Sequence, residues 1–280
     1  MSLLQFFGAG LPYVENVDYP GVLITIEGTD GVGRTTQIRM LREWLEVQGY
    51  GVVETGWTRS PLIGRTITEA KQGRILNRFT YSLLYAADFA DRLEKQILPA
   101  LRSGFVVLAD RYVFTAFARD VVRGVDRAWV RDLFGFAPIP HLVLYLKIDI
   151  TTLIRRVMLR GVIDYFESGM DMVKGDDPYD AFKRYQTLLL REYNRMADEF
   201  GFKLLDARRE PEKIQERLRQ IVSTFFASRE TPYWLERSEI PPAATQSAEI
   251  DANAPVSSPA AIQPIISPAP ATTPQSITRR

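Results

Sequence analysis

Five short runs that are apolar almost throughout punctuate the first 206 residues: VLITIE (22–27), YGVVET (50–55), FVVLAD (105–110), HLVLYLKI (141–148) and FKLLD (202–206). A strand without polar alternation must be covered on both faces, which calls for a sheet held between helical layers. The stretches between the runs carry a helical period, at 35–48, 79–101, a pair within 112–134, 149–159, 178–199 and 211–226. Strand and helix alternate, so the helices serve as crossovers between parallel strands. The pattern predicts a three-layer α/β sandwich with about five parallel strands and helices on both faces. Ligands are expected at the C-terminal ends of the strands.

Composition narrows the chemistry. Of 280 residues, 46% are apolar and 25% charged, the balance of a globular protein. The absence of cysteine excludes a disulfide framework, a thiolate metal site and a cysteine nucleophile, and a single histidine is too few for a multi-histidine metal centre. Catalysis must therefore run on carboxylates, arginines, lysines, hydroxyls and backbone amides. The net charge of +1 provides no footprint for coating nucleic acid or a membrane surface, so any anion must be held locally.

Residues 1–20 read as an N-terminal extension, either mobile or clamped over the domain edge. Their apolar patch has no Lys or Arg ahead of it and is broken by Gly and Pro, unlike a signal peptide. No window approaches the roughly 20 apolar residues of a membrane span. The expectation is a cytoplasmic protein with neither a membrane nor a nucleic-acid partner. From Ser238 onward lie eight of the 17 prolines and no aromatic residue. Such a segment cannot bury enough apolar surface to offset its ordering entropy, and 229–280 is read as a Pro/Ala/Ser-rich disordered tail. Residues 21–228 remain for one domain.

The first strand runs into GTDGVGRTT, which fits G-x-x-x-x-G-K-[ST] except that Arg34 stands where Lys belongs. Gly28, Gly31 and Gly33 permit the positive φ and close approach needed to wrap a polyphosphate in backbone N–H groups, and the next helix adds its N-terminal amides. The loop Gly28, Thr29, Asp30, Gly31, Val32, Gly33, Arg34, Thr35 and Thr36 is thus assigned to ATP. Arg34 bridges the β- and γ-phosphates, and the Thr35 hydroxyl ligates Mg²⁺. A guanidinium keeps the charge but is larger and planar, so it cannot take a lysine's place without shifting. FVVLAD ends in Asp110, a carboxylate suited to hold the metal beside Thr35.

Taken together, IEGTDGVGRTTQ, TRSP at 58–61, LLYAAD at 83–88, DRY at 110–112 and LIRRVMLRGVIDYFE at 153–167 resemble the thymidylate kinases, nucleoside-monophosphate kinases of the P-loop class. The resemblance covers about residues 20–227. It implies a P-loop NTPase sandwich with an arginine-bearing lid, ATP and Mg²⁺, and dTMP as acceptor. It places Asp30 near the metal and the acceptor phosphate, Arg59 and Arg111 on the monophosphate, and Tyr85 where the family stacks Phe on thymine. Arg156 and Arg160 become lid arginines, Glu167 the lid acid near the acceptor, and Asp164 a holder of lid geometry. A phosphate acceptor is already ionised and needs no strong base, which suits a chain poor in histidine.

The departures fall on the base side. Ser60 replaces the family's Glu, Phe89 a base-reading Arg, Arg119 the aromatic beside the sugar, and Tyr165 a lid arginine. Phosphoryl transfer is therefore a firmer expectation than thymine specificity, and a non-catalytic or regulatory nucleotide-binding paralogue is the alternative. A nucleoside kinase acting on a free 5′-hydroxyl ranks third. His141 reads as a strand-initiating residue, Trp44 as core, and Asp177-Pro178 as a helix start. Phe79 and Tyr81 are assigned equally to the cleft and to helix packing, and 79–101 equally to core and to a homodimer face.

Overall fold

The computed structural model describes residues 4–13, 19–73, 77–160, 165–166, 168–172 and 177–228; the sequence-assigned tail and Glu167 and Asp164 of the lid lie outside them. The described residues all belong to the unit Met1–Glu239; the chain's second unit, Ile240–Arg280, contains none of them.

Five strands, β1 (Val22–Glu27), β2 (Val52–Gly56), β3 (Val106–Asp110), β4 (Leu142–Lys147) and β5 (Lys203–Asp206), form one sheet in the order β2-β3-β1-β4-β5. Every pairing is parallel, with Ile24 of β1 opposite Leu108 on one side and Leu142 on the other. The chain leaves β1 toward β2, then crosses from β3 to β4 on the far side of β1. The C-terminal ends of β1 and β3 thus flank the crevice where ligands bind in open parallel sheets.

All six β1 residues are buried, as an unalternating apolar run requires. On one face Val22, Ile24 and Ile26 pack with Leu108 and Leu144 beneath α1 (Arg34–Val47) and α9 (Pro211–Ala227), through Leu41, Leu45, Leu218 and Val222. On the other, Leu23, Val107, Ala109 and Tyr145 meet α3 (Arg78–Arg92), α5 (Val113–Val122) and α8 (Pro178–Phe200), through Phe89, Phe114, Phe117 and Tyr193. Residues 4–13 run along this second layer. Phe6 bridges Pro138, the Phe7 N–H donates to Ala137 O at 3.0 Å, and the Phe7 ring meets Phe114, Phe117 and Phe200 edge-on at 5.6–5.9 Å.

Two elements depart from the sequence pattern. The stretch 79–101 is not one helix: α3 is followed by a π-helical turn at Leu93–Ile97 and then α4 (Leu98–Arg102). Pro99 has no N–H and its ring crowds the preceding turn, so the ladder rewinds there. A helix absent from the sequence reading, α2 (Gly64–Gln72), follows TRSP. Its PLIGRTIT start is rich in β-branched residues and holds Pro and Gly, which mask a helical pattern. Helices α6 (Arg127–Leu133) and α7 (Ile150–Arg160) complete the described set. Asp177 caps α8, accepting from the Tyr179 N–H at 2.8 Å, with Pro178 in the first turn. His141 Nδ1 accepts the Leu23 N–H at 3.0 Å at the start of the β1–β4 pairing.

Candidate active site

The phosphate loop leaves β1 with positive φ at Gly28, Gly31 and Gly33. Gly31 has φ 82°, and a Cβ there would stand 2.7 Å from Val157 Cγ2 of α7; Gly33, at φ 102°, is the N-cap of α1. Both positions exclude a side chain, one by crowding and strain and one by strain alone. Thr35 and Thr36 open α1 with exposed side chains, while Val32 is buried under the loop. Arg156 reaches back from α7 to the loop, its Nη1 donating to Val32 O at 3.4 Å. Arg160 ends the same helix; its side chain is outside the described atoms.

Arg34 turns inward. Its Nε donates to Asp110 Oδ1 at 2.9 Å, and its Nη1 to the carbonyls of Gly28 and Thr29, each at 2.5 Å. The planar fork thus bridges the loop and the end of β3.

A cleft of about 230 Å³ opens beside the loop at the ends of β2 and β3. Arg34, Arg59, Lys71, Arg111 and Arg119 line it against one lining carboxylate, Asp110, with Trp57 and Tyr85 as its aromatic walls. The larger surface grooves lie elsewhere, between α1 and α9 and beyond the ends of β4 and β5. Of these three, the smaller cleft is the one lined by Arg34 of the loop and by a clear surplus of cations, which fits it to a phosphorylated ligand. Tyr85 stacks on Tyr81 at 4.5 Å, and Tyr81 in turn on Phe166 at 6.1 Å. Tyr81 therefore underlies the aromatic wall, whereas Phe79 packs on Trp129 at 5.2 Å.

Asp30 is the hub of the charged side. Arg111 Nη2 holds its Oδ1, Arg119 Nη2 donates to its Oδ2 at 2.7 Å, and Arg34 Nη2 stands 3.9 Å away. Arg111 has φ 67°, the left-handed region that a residue with a Cβ seldom occupies. Hydrogen bonds on both sides hold it there: its own N–H donates to Ile26 O at 3.1 Å, and the next N–H, of Tyr112, to Glu27 Oε1 at 2.6 Å. Glu27 is wholly buried and also accepts from the Thr115 hydroxyl at 2.9 Å. Burial pushes its carboxyl up to about 7, against the opposing pull of Thr115, the Tyr112 N–H, Arg34 and Arg111.

Several supporting residues were not legible as such in the sequence. Asp88, fully buried, accepts from the Thr58 N–H at 3.1 Å, the Ser60 N–H at 3.0 Å and Arg92 Nε at 3.0 Å, which fixes the turn carrying Arg59. Arg92 also donates to Thr55 Oγ1 at 3.0 Å. Phe89 is core, and no guanidinium comes from that position. Ser60, in place of the family's Glu, donates to Asp91 at 2.5 Å and accepts the N–H groups of Leu62 and Ile63, tying the approach to α2. Arg123 ties Phe166 and Asp171 to α8, donating to Asp171 at 2.7 Å, Tyr185 at 2.6 Å and Phe166 O at 3.1 Å.

Among the described residues no three His, Asp or Glu side chains gather as a metal cage. The donors around the loop are nonetheless oxygens: the Thr35 hydroxyl, the Asp110 carboxylate and a buried Thr29 Oγ1 without a hydrogen-bond partner. Mg²⁺ bound together with phosphates needs only one or two protein oxygens, so this donor set fits it. Among the described residues no helix is long and apolar enough to cross a membrane.

The family model described as thymidylate kinase matches residues 26–218. The chain is 38% identical to "Probable thymidylate kinase 2" of Saccharolobus solfataricus over 74% of its own length and 97% of that protein's. It is 37% identical to "Probable thymidylate kinase" of Pyrococcus horikoshii over 54% and 77%, and 30% identical to the protein of that name from Thermococcus kodakarensis over 73% and 98%.

Proposed function

Because the chain belongs to the thymidylate kinase family, we propose that it transfers the γ-phosphoryl group of ATP to a nucleoside monophosphate, with dTMP as the favoured acceptor and dTDP as product. The observation that carries this reading is the joining of two anion sites in one crevice: the glycine loop opening α1 and the cation-lined cleft beside it.

Backbone N–H groups from Gly28 to Thr36 bind the ATP phosphates. Arg34 exchanges its contacts with Asp110 and the loop carbonyls for the β- and γ-phosphates, which keeps the guanidinium paired throughout. Thr35 and Asp110 are the residues to hold Mg²⁺, whose chemistry is to neutralise charge on the phosphate oxygens. Arg59 and Arg111 grip the acceptor's phosphate, and Tyr85 offers its ring to the base. Arg156 and Arg160 close from the lid onto the transferred group, Glu167 is the lid acid for the acceptor, and Asp30 would lie near the metal and the acceptor phosphate. No side chain has to remove a proton from a hydroxyl, because the attacking oxygen belongs to an ionised phosphate.

Incubating the chain with Mg²⁺, dTMP and ATP labelled in its γ-phosphate tests the assignment. Label is expected in dTDP. ATP binding without labelled product, unrescued in Arg34→Lys, overturns the reading in favour of a nucleotide-binding module.

A further inference from the structure

Arg119, in the last turn of α5, and Arg123, the C-cap that follows it, lie one turn apart, yet they are used differently. Arg123 is spent: its donors go to both oxygens of Asp171, to the Tyr185 hydroxyl, and to the carbonyls of Phe166 and Arg119. It is a strut. Among the described residues Arg119 makes one hydrogen bond, to Asp30 Oδ2, although a guanidinium carries five N–H donors. The residue lines the cleft, its side chain about 11% exposed and set among Tyr81, Tyr85, Tyr185 and Tyr193. Arg111 holds the other oxygen of the same carboxylate from the same cleft wall. Two guanidiniums converge on one small anion, and the other lining residues add three more cations.

We propose that Arg119 is a second phosphate-gripping residue of the acceptor site, which leaves Asp30 when a nucleoside monophosphate enters and donates to its phosphate beside Arg111. The proposal rests on the acceptor reading above and assigns the dianionic phosphate to a residue that stands where the resemblance expects an aromatic. A monoanionic carboxylate presents two oxygens to the pair. A phosphate dianion presents three and carries more charge, so the exchange strengthens both contacts. Asp30 is then released from Arg119. The consequence is selectivity: the site gains affinity for the phosphate of the acceptor, not for its nucleoside.

Calorimetric titration of the intact chain with dTMP, thymidine and ATP, in wild type, Arg119→Met and Arg119→Lys, tests this. Arg119→Met is expected to weaken dTMP about tenfold or more, as loss of a charge-assisted contact to phosphate should. Thymidine and ATP should stay within about twofold. Arg119→Lys, which keeps the charge but not the fork, should fall between, and it serves if thermal melting shows that the methionine variant does not fold. Unchanged dTMP affinity overturns the proposal while leaving the acceptor reading intact. Parallel loss for dTMP, thymidine and ATP also overturns it, by making Arg119 a strut. A wild type that binds no dTMP overturns the acceptor reading and this inference with it.

Discussion

Arg34, at the first position of α1, donates its Nε to Asp110 at the end of β3 over 2.9 Å, while its Nη1 closes on two carbonyls of the loop it belongs to. The Arg34 guanidinium is thus paired with both the loop and the strand end. Removing the cation altogether, in Arg34→Met, is expected to lower kcat at least about 100-fold, the scale on which a single transition-state charge donor acts. Arg34→Lys should remain within about tenfold of wild type. Steady-state ADP release checks both, and an Arg34→Met enzyme of near-normal kcat would remove Arg34 from the chemistry.

Asp88 supports a different part of the cleft. Three donors converge on its buried carboxylate, and one of them, Arg92, is itself almost wholly out of water. In Asp88→Ala the guanidinium is left buried without its partner, a loss of about 3–5 kcal/mol. Urea unfolding measures it. The turn bearing Arg59 loosens at the same time, so the KM for the acceptor should rise more than the KM for ATP; an equal rise in both would show that Asp88 does not act through Arg59.

The buried Glu27 gives stability a definite pH dependence. Its carboxyl titrates at about 7 in the folded chain against 4.5 when unperturbed, so the folded state binds the proton more tightly. Stability from this group is therefore fully present below about pH 4.5 and is lost as the pH rises to about 7, by about 3 kcal/mol in all. Glu27→Gln keeps an acceptor for the Tyr112 N–H and cannot ionise. Denaturant titrations at pH 5, 6, 7 and 8 should show the mutant's stability falling less over that range than the wild type's, and parallel curves would contradict the assignment.

What the sequence disclosed follows from physical range. The five strands and their coverage were readable because an unalternating apolar run has one environment available to it, and the loop because Gly28, Gly31 and Gly33 mark backbone that other residues enter only with strain. Helix α2 was hidden behind Pro61, Gly64 and β-branched residues that lower local propensity while Ile67 and Ala70 pack inward. The struts were hidden for another reason. Asp88 and Arg92 at i, i+4 look like a solvated helix pair until the Thr58–Ser60 turn is laid over them, and Asp30 and Arg119 are 89 residues apart. Glu27 closes an apolar strand, where a terminal carboxylate is ordinarily solvated; its burial comes from Tyr112, Thr115 and Tyr193, which arrive from elsewhere in the chain.

The most direct test of the central claim is ADP release from the full chain with Mg²⁺ and ATP across a panel of dTMP, dUMP, the other nucleoside monophosphates and thymidine. The account predicts turnover that depends on a monophosphate, is fastest with dTMP, and is absent with thymidine, which has no phosphate for Arg59 and Arg111 to hold. Silence with every monophosphate, or turnover with thymidine equal to that with dTMP, would contradict it.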